Sequence, residues 1–242
     1  MPNERTVTLF STLRQASTRC KNKLVRKLRM GYALADVFAW KWGMLVRHGN
    51  FADSMVAIHE DDVELLEKFG GFRVANRTRE STQGAPPLNV IFDPLRHSSC
   101  THAMWVNPCL MFVPIRVYLD ALKAFETLVP QSATSVVMNR GWFFDEEGRL
   151  LNRPNHSVVS TQHMKPILEC FHAFHIFNID RMLRTGSYWS GEARDPAPFV
   201  VDANARMLMD VDTEFDFELL DAYVYTRKID FEEMKGILSE GL

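Results

Sequence analysis

The sequence predicts an α/β protein: a doubly wound, mainly parallel sheet with helices on both faces. Three observations carry that prediction. Short apolar runs of strand length alternate with stretches of helical periodicity along most of the chain, the pattern of right-handed βαβ units. Charged clusters follow the first and last apolar runs, and open α/β sheets place their ligands outside the carboxyl ends of their strands. A chain of 242 residues suits one large domain, and residues 1–242 are read as such.

The expected strands are Val7 to Ser11, Ser54 to Ile58, Phe72 to Ala75, Ala103 to Asn107, Thr134 to Met138 and Phe171 to Phe177. Between them, Tyr32, Ala35, Ala39 and Trp42 share one helical face, and Val63, Leu66 and Phe69 share another. Tyr118, Ala121, Leu122, Phe125, Leu128 and Val129 make the clearest 3.6-residue stripe, and such stripes are read as core. The stretch from Gly141 to Thr161 breaks the rhythm. Trp142-Phe143-Phe144, then Asp145 to Gly148, then Arg149-Leu150-Leu151 reads as an exposed β-hairpin with a glycine turn, an inserted arm over residues 141–161. Three aromatics before a turn fit either a subunit contact or a hairpin folded back on its own domain. Asp195-Pro196-Ala197-Pro198 is a stiff loop before the last strand.

Composition narrows the class of partner. Hydrophobic content of 46%, charged content of 24% and a net charge of −2 describe an ordinary globular chain, which argues against nucleic acid or an anionic membrane as partner. No apolar run approaches the roughly 20 residues that span a bilayer, and Met1 to Arg5 leads into a strand without a signal-peptide core. The expected location is the cytoplasm. Cys20, Cys100, Cys109 and Cys170 are scattered and read as reduced thiols. His172 and His175 sit three apart in an expected strand, so their side chains should face opposite sides; they are read as core or surface histidines, not as a metal pair.

Two motifs carry chemistry. In Met209-Asp210-Val211-Asp212-Thr213 the two carboxylates are two residues apart and point the same way if the backbone is extended. One or two carboxylates plus substrate phosphates is the usual Mg²⁺ arrangement. Thr213 and Asp216 form a capping-box variant, so a helix should start immediately after the pair. A solvated strand end with a helix cap has the same spacing. The second motif follows the first strand: Leu13-Arg14-Gln15-Ala16-Ser17-Thr18-Arg19-Cys20-Lys21-Asn22-Lys23. Its cations, hydroxyls and backbone N–H groups suit phosphate, although it lacks the glycines and the G-K-[ST] ending of a Walker A loop. A basic loop alone is most often a solvated surface.

Taken together the motifs resemble a known family. Arg14-x-Ala16-Ser17-Thr18-Arg19-x-x-x-Lys23 resembles the signature of the 3-deoxy-manno-octulosonate cytidylyltransferases, and Asp210-Val211-Asp212-Thr213-Glu214-Phe215-Asp216 resembles the D-x-D-T-x-x-D motif of the related acylneuraminate cytidylyltransferases. Weaker collinear matches lie at Ser54 to Lys68, at Phe143-Phe144-Asp145 through Asn152, and at Thr161-Gln162 through Phe177. The resemblance implies a nucleotide-diphospho-sugar transferase-like, Rossmann-type three-layer fold, with the hairpin as a dimerisation arm in a homodimer. It implies Mg²⁺-dependent transfer of CMP from CTP to a sugar acid or related acidic acceptor, with Mn²⁺ as a possible substitute. By the same analogy Arg14 and Lys23 are catalytic. Leu13, Arg14, Ser17, Arg19, Lys21, Asn22, Lys23, Arg77 and Arg79 bind nucleotide, with Lys21 an alternative to Lys23 as the phosphate lysine. Asn107, Gln162 and His172 border the acceptor, and Asp210 and Asp212 hold the metal.

Departures from the pattern fall in the acceptor half. Asn107-Pro108-Cys109-Leu110-Met111-Phe112-Val113 stands where the family has Q-P-T-S-P-L-R, and Phe171-His172 stands where the sialic-acid branch has N-G. Two hydroxyls and an arginine are lost, so the acceptor is expected to be neither sialic acid nor octulosonate. Two other classes of function remain open: a non-catalytic nucleotide-binding homologue acting as regulator or partner subunit, and a nucleotidyltransferase with another base preference.

Overall fold

The computed structural model describes residues 5–152 and 164–242. Seven strands form one sheet: β1 (Val7–Thr12), β2 (Asp53–Ile58), β3 (Val74–Asn76), β4 (His102–Val106), β5 (Ala133–Asn139), β6 (Ile167–Asn178) and β7 (Ala197–Val200). Their spatial order is β3-β2-β1-β4-β6-β5-β7. Strand β6 runs antiparallel to β4 and β5, and the other pairings are parallel. The doubly wound, mainly parallel sheet is therefore present, with one reversed strand among those described.

Strand side chains alternate between two cores. Val7, Leu9, Val56, Ile58, Met104 and Val106 pack on one face, under α1 (Leu34–His48), α2 (Val63–Phe69), α5 (Ile115–Leu128), α7 (Glu214–Thr226) and α8 (Phe231–Leu238). Phe10, Met55, Ala57, Ala103 and Phe177 pack on the other. That face is covered by α4 (Leu88–Ile91), the 3₁₀ turn Asp93–His97 and α6 (Ile179–Thr185). One further short helix, α3 (Arg79–Thr82), follows β3. The period of two along each strand thus yields the three-layer arrangement directly.

The expected helices are present with shifted faces. In α2 the buried pair is Leu65 and Phe69, while Val63 is exposed; a helix of two turns buries one i, i+4 pair, and its first residue points to water. The α5 stripe stops at Phe125, and Leu128 and Val129 are exposed where Val129 closes the helix at φ +52°. Strand β3 starts two residues later than expected, because Phe72 turns away to pack against Phe69. The hairpin is formed as read: Phe144 bridges Leu150, Gly148 takes the turn at φ +78°, and Arg149 pairs with Asp145. Residues 153–161 of the arm lie outside the described residues.

A larger correction concerns β6. Residues Phe171, Ala173, Phe174 and Ile176 all belong to the same core, so the alternation slips by one between Ala173 and Phe174. Pairing with β5 shows the same irregularity: Thr134 faces His175 while Val136 faces Cys170. His172 sits in this bulge at φ +55°. A bulge re-aims the residues that flank it, and His172 and His175 consequently meet, with Nδ1 of one 3.1 Å from Nε2 of the other. The expectation of opposite faces fails because it assumed an unbroken strand.

Candidate nucleotide and metal site

The loop after β1 has little regular structure and is held by its own polar groups. Leu13 continues the ladder by donating its N–H to the Ala57 carbonyl. Asn22 adopts the left-handed conformation (φ +55°), so its carbonyl accepts from Val25 and Arg26 and reverses the chain. The loop then docks on the start of α7, almost 200 residues away in sequence. The Lys21 N–H donates to Glu214, and Arg26 pairs with Glu214 at 2.8 Å while its guanidinium lies 3.7 Å over the Phe217 ring. Helix α7 starts where the capping box requires: Thr213 accepts from the Asp216 N–H, and Asp216 accepts from the Thr213 N–H at 2.7 Å. Glu214 and Arg26 were not singled out from sequence. A glutamate just inside a capped helix start already has a reason to be there.

Docking brings the two motifs into contact. Lys23 Nζ donates to Asp212 Oδ1 at 3.0 Å and to the Val211 carbonyl, and Arg19 donates to the same Asp212 oxygen at 3.2 Å. Burial works against the charged Lys23 ammonium, but the Cys109 sulfur and the Asp212 carboxylate outweigh it and hold its pKa above the ordinary lysine value. Lys21 lines a separate groove with Val25 and Glu64, and of the two lysines it is Lys23 that meets the acidic pair.

Asp210 lies deeper. Its backbone bridges Leu110 and its Oδ2 accepts from Asn107 Nδ2 at 3.1 Å, while Asn107 Oδ1 accepts from the Cys109 N–H. Its other oxygen, Oδ1, is buried with no hydrogen-bond partner. Burial and the neighbouring Asp212 charge raise the Asp210 pKa. A buried carboxylate oxygen without a donor is costly, and it matches the hard oxygen ligand that a divalent cation requires. The fully buried Lys41 of α1 pins the adjoining segment by donating to the carbonyls of Leu110 and Met111; burial lowers its pKa to about 7.

On the far side of the loop lies an open cleft of about 650 Å³ lined by Thr12, Arg14, Arg19, Arg77, Gly84 and Pro86, among others. Arg14 reaches across it to the carbonyls of Thr82 and Gly84. Arg77 follows β3 and is buried; it donates to the Leu13 carbonyl at 2.9 Å and to Ser81, tying the loop to the segment after β3. Burial, then the Arg14 charge, lower its pKa to about 10. Arg79 is exposed on α3. Ser17 lies in the loop and accepts from the Cys20 N–H. Asn107 and His172 stand side by side at the same sheet edge, since the Asn107 N–H donates to Ala173. Gln162 lies outside the described residues. The cleft, the basic loop and the carboxylates thus share the carboxyl edge of β1, β3 and β4.

The α/β fold that carries this geometry has counterparts among solved structures. Among solved structures, the chain is similar to a CMP:2-keto-3-deoxy-manno-octonic acid synthetase complexed with CTP, with a TM-score of 0.62 and 11% identity over 92% of this chain and 99% of that one. It is also similar to the 4-diphosphocytidyl-2C-methyl-D-erythritol synthase of Anaerococcus prevotii DSM 20548 (TM-score 0.60, 10% identity, 92% and 100% covered). The bifunctional IspDF of Campylobacter jejuni gives a TM-score of 0.57 at 10% identity, over 89% of this chain and 54% of the longer protein. No family model matches the sequence, and no curated protein does. Among the described residues no helix is long and apolar enough to cross a membrane.

Proposed function

We propose that the protein is a cytidylyltransferase that transfers CMP from CTP to a small acidic acceptor. The observation that carries this reading is the meeting of Lys23 and Arg19 with Asp212 beside the orphaned oxygen of Asp210, at the rim of a cleft lined by arginines. An acceptor hydroxyl oxygen attacks the α-phosphorus of CTP, its proton passes to solvent or a nearby base, and the bond to the bridging oxygen breaks to release pyrophosphate. Lys23 and Arg19 exchange their hold on Asp212 for phosphate oxygens and stabilise the charge that develops on the leaving group. Arg14, already extended across the cleft, orients the triphosphate, and Arg77 keeps the cleft wall in register. Asp210 and Asp212 would hold Mg²⁺, or Mn²⁺ in its place, which when bound neutralises phosphate charge. The acceptor lies on the β6 side, near Asn107 and His172.

The same reading makes the protein a homodimer through its arm. Trp142, Phe144 and Leu151 of the hairpin are exposed together with Met138 and Leu168 of the adjoining β5–β6 ladder. Burial of such a surface against a second copy is worth several kcal/mol, at roughly 25 cal/mol per Å².

The test is a panel of CTP, UTP, ATP and GTP in thermal unfolding, with and without Mg²⁺, followed by pyrophosphate release against candidate sugar acids and phosphonates. A midpoint that rises with CTP and Mg²⁺, together with release from one acid class, is the expected result. CTP binding with no release from any acid would favour a non-catalytic homologue, and preference for UTP would overturn the base assignment.

A further inference from the structure

The bulge in β6 gathers three side chains whose convergence nucleotidyl transfer does not explain, although one of them, His172, borders the proposed acceptor side. Cys170 Sγ lies 3.7 Å from His172 Nδ1, which lies 3.1 Å from His175 Nε2, and all three atoms fall within 4.8 Å of one another. Among the described residues this is the only trio of His, Cys, Asp or Glu with metal-ligand spacing. A tetrahedral ion with nitrogen ligands at about 2.0 Å and sulfur at about 2.3 Å separates its ligands by about 3.3–3.6 Å, so the trio needs only small adjustments to close on one.

The surroundings fix the ligands in place. Thr134 Oγ1 bonds Nδ1 of His175 at 2.8 Å, which holds the buried ring and leaves Nε2 to face its partners. The same ring lies between Tyr188, at 4.2 Å, and Trp105, at 5.6 Å, with Trp189 edge-on. A ligating histidine whose second nitrogen is tied to a hydrogen-bond partner is the usual arrangement at metal centres. His172 contributes from the opposite condition: it is exposed and held at φ +55°, a conformation uncommon for a residue with a side chain.

We propose that Cys170, His172 and His175 form a binding site for a thiophilic divalent cation, Zn²⁺ being the fitting one. Three protein ligands leave one tetrahedral position, which opens to solvent beside His172 and takes water. Thiolate and imidazole select such an ion over Mg²⁺, whereas the all-oxygen pair Asp210 and Asp212 selects the reverse. Binding deprotonates the thiol and releases one proton to solvent. The site stands independently of the nucleotidyl-transfer reading, because its readout is the metal itself.

The experiment titrates Co²⁺ into the metal-free full chain with Mg²⁺ in excess to occupy oxygen sites. The expected result is a thiolate-to-cobalt charge-transfer band and tetrahedral visible bands that saturate at one equivalent and are erased by Zn²⁺. Cys170→Ser should abolish the charge-transfer band. His172→Ala, an exposed change that leaves the core intact, should weaken binding at least ~100-fold, and Thr134→Val about 10-fold, as an outer-shell partner does. No band at one equivalent, a band that survives Cys170→Ser and so arises from Cys20, Cys100 or Cys109, or unchanged affinity in His172→Ala would each overturn the proposal. Should Cys170→Ser fail to fold, His172→Ala decides alone.

Discussion

Asp210→Asn should make the ligand-free protein more stable while removing its response to metal. Asp210 is partly buried, one of its oxygens has no donor, and Asp212 lies near enough to raise its pKa. An unsatisfied buried acceptor costs about 1–3 kcal/mol. The amide removes the charge yet still offers an oxygen to Asn107, whose bond at 3.1 Å is the one polar contact to keep. A net gain of about 1 kcal/mol follows, which in a domain of this size raises the melting midpoint by roughly 2–4 °C. The sign with pH is fixed. A carboxyl whose folded pKa is raised destabilises the fold fully above that pKa and less as pH falls toward the ordinary value of 3.8. The advantage of Asp210→Asn should therefore be complete at pH 7 and shrink toward pH 4. Against that gain, turnover should fall at least ~100-fold, or about 2.7 kcal/mol of transition-state stabilisation. Scanning calorimetry of both proteins at pH 7 and pH 4, with CTP and with or without Mg²⁺, measures each part. A variant that melts below wild type and keeps the full Mg²⁺-dependent shift would refute the assignment of Asp210 as a metal ligand.

Three further outcomes are expected. Lys23→Ala should lower kcat more than it raises KM for CTP, and Lys21→Ala should do little, because of the two lysines it is Lys23 that meets Asp212; the reverse ranking in steady-state kinetics would displace Lys23. His102 is buried, and burial followed by the charges of Arg5 and Arg181 lowers its pKa to about 4. It stabilises the fold above its ordinary value of 6.5, and that stability is lost as pH falls from there toward 4. The loss is about 2 kcal/mol by pH 5, and denaturant unfolding of His102→Gln should show a correspondingly shallower acid slope. Finally, sedimentation should find a dimer at micromolar concentration, and Trp142→Ser with Phe144→Ser should yield a monomer that still binds CTP; a wild-type monomer with full activity would return the hairpin to its own subunit.

Local physics explains which parts of the architecture could be read from sequence. The capping box at Thr213 and Asp216 depends on residues three apart and nothing else, and it appears in full. The helices were readable through their apolar stripes, although not to their ends, since exposure at Val63 and Leu128 depends on where a neighbour stops covering the helix. The β6 bulge could not be read. Its signature is a parity slip between Ala173 and Phe174, and both are apolar, so the pattern of the sequence stays unbroken while the face of every preceding side chain reverses. Gly or Pro would have marked the break, but here a histidine takes the positive φ. The convergence of His172 with His175 follows from pairing with β5, a long-range fact.

The proposed nucleotide site poses a different problem of legibility. Composition gives a net charge of −2 and no basic character, and an expectation built on net charge alone would look past a phosphate site. The structure shows why that measure is blind. Each cation of the loop that meets the C-terminal motif is matched by an acid there: Lys23 and Arg19 by Asp212, Arg26 by Glu214. These pairs are partly exposed and each contributes little to stability. Their consequence is electrostatic readiness. The pairs tie the loop to the carboxylates, and on the proposed function triphosphate with its metal would replace both partners of each pair with a partner of the same sign and greater charge. A cluster so arranged is nearly balanced in total charge and strongly polar in detail, which is why it emerges only when residues 14–26 and 210–216 are seen together.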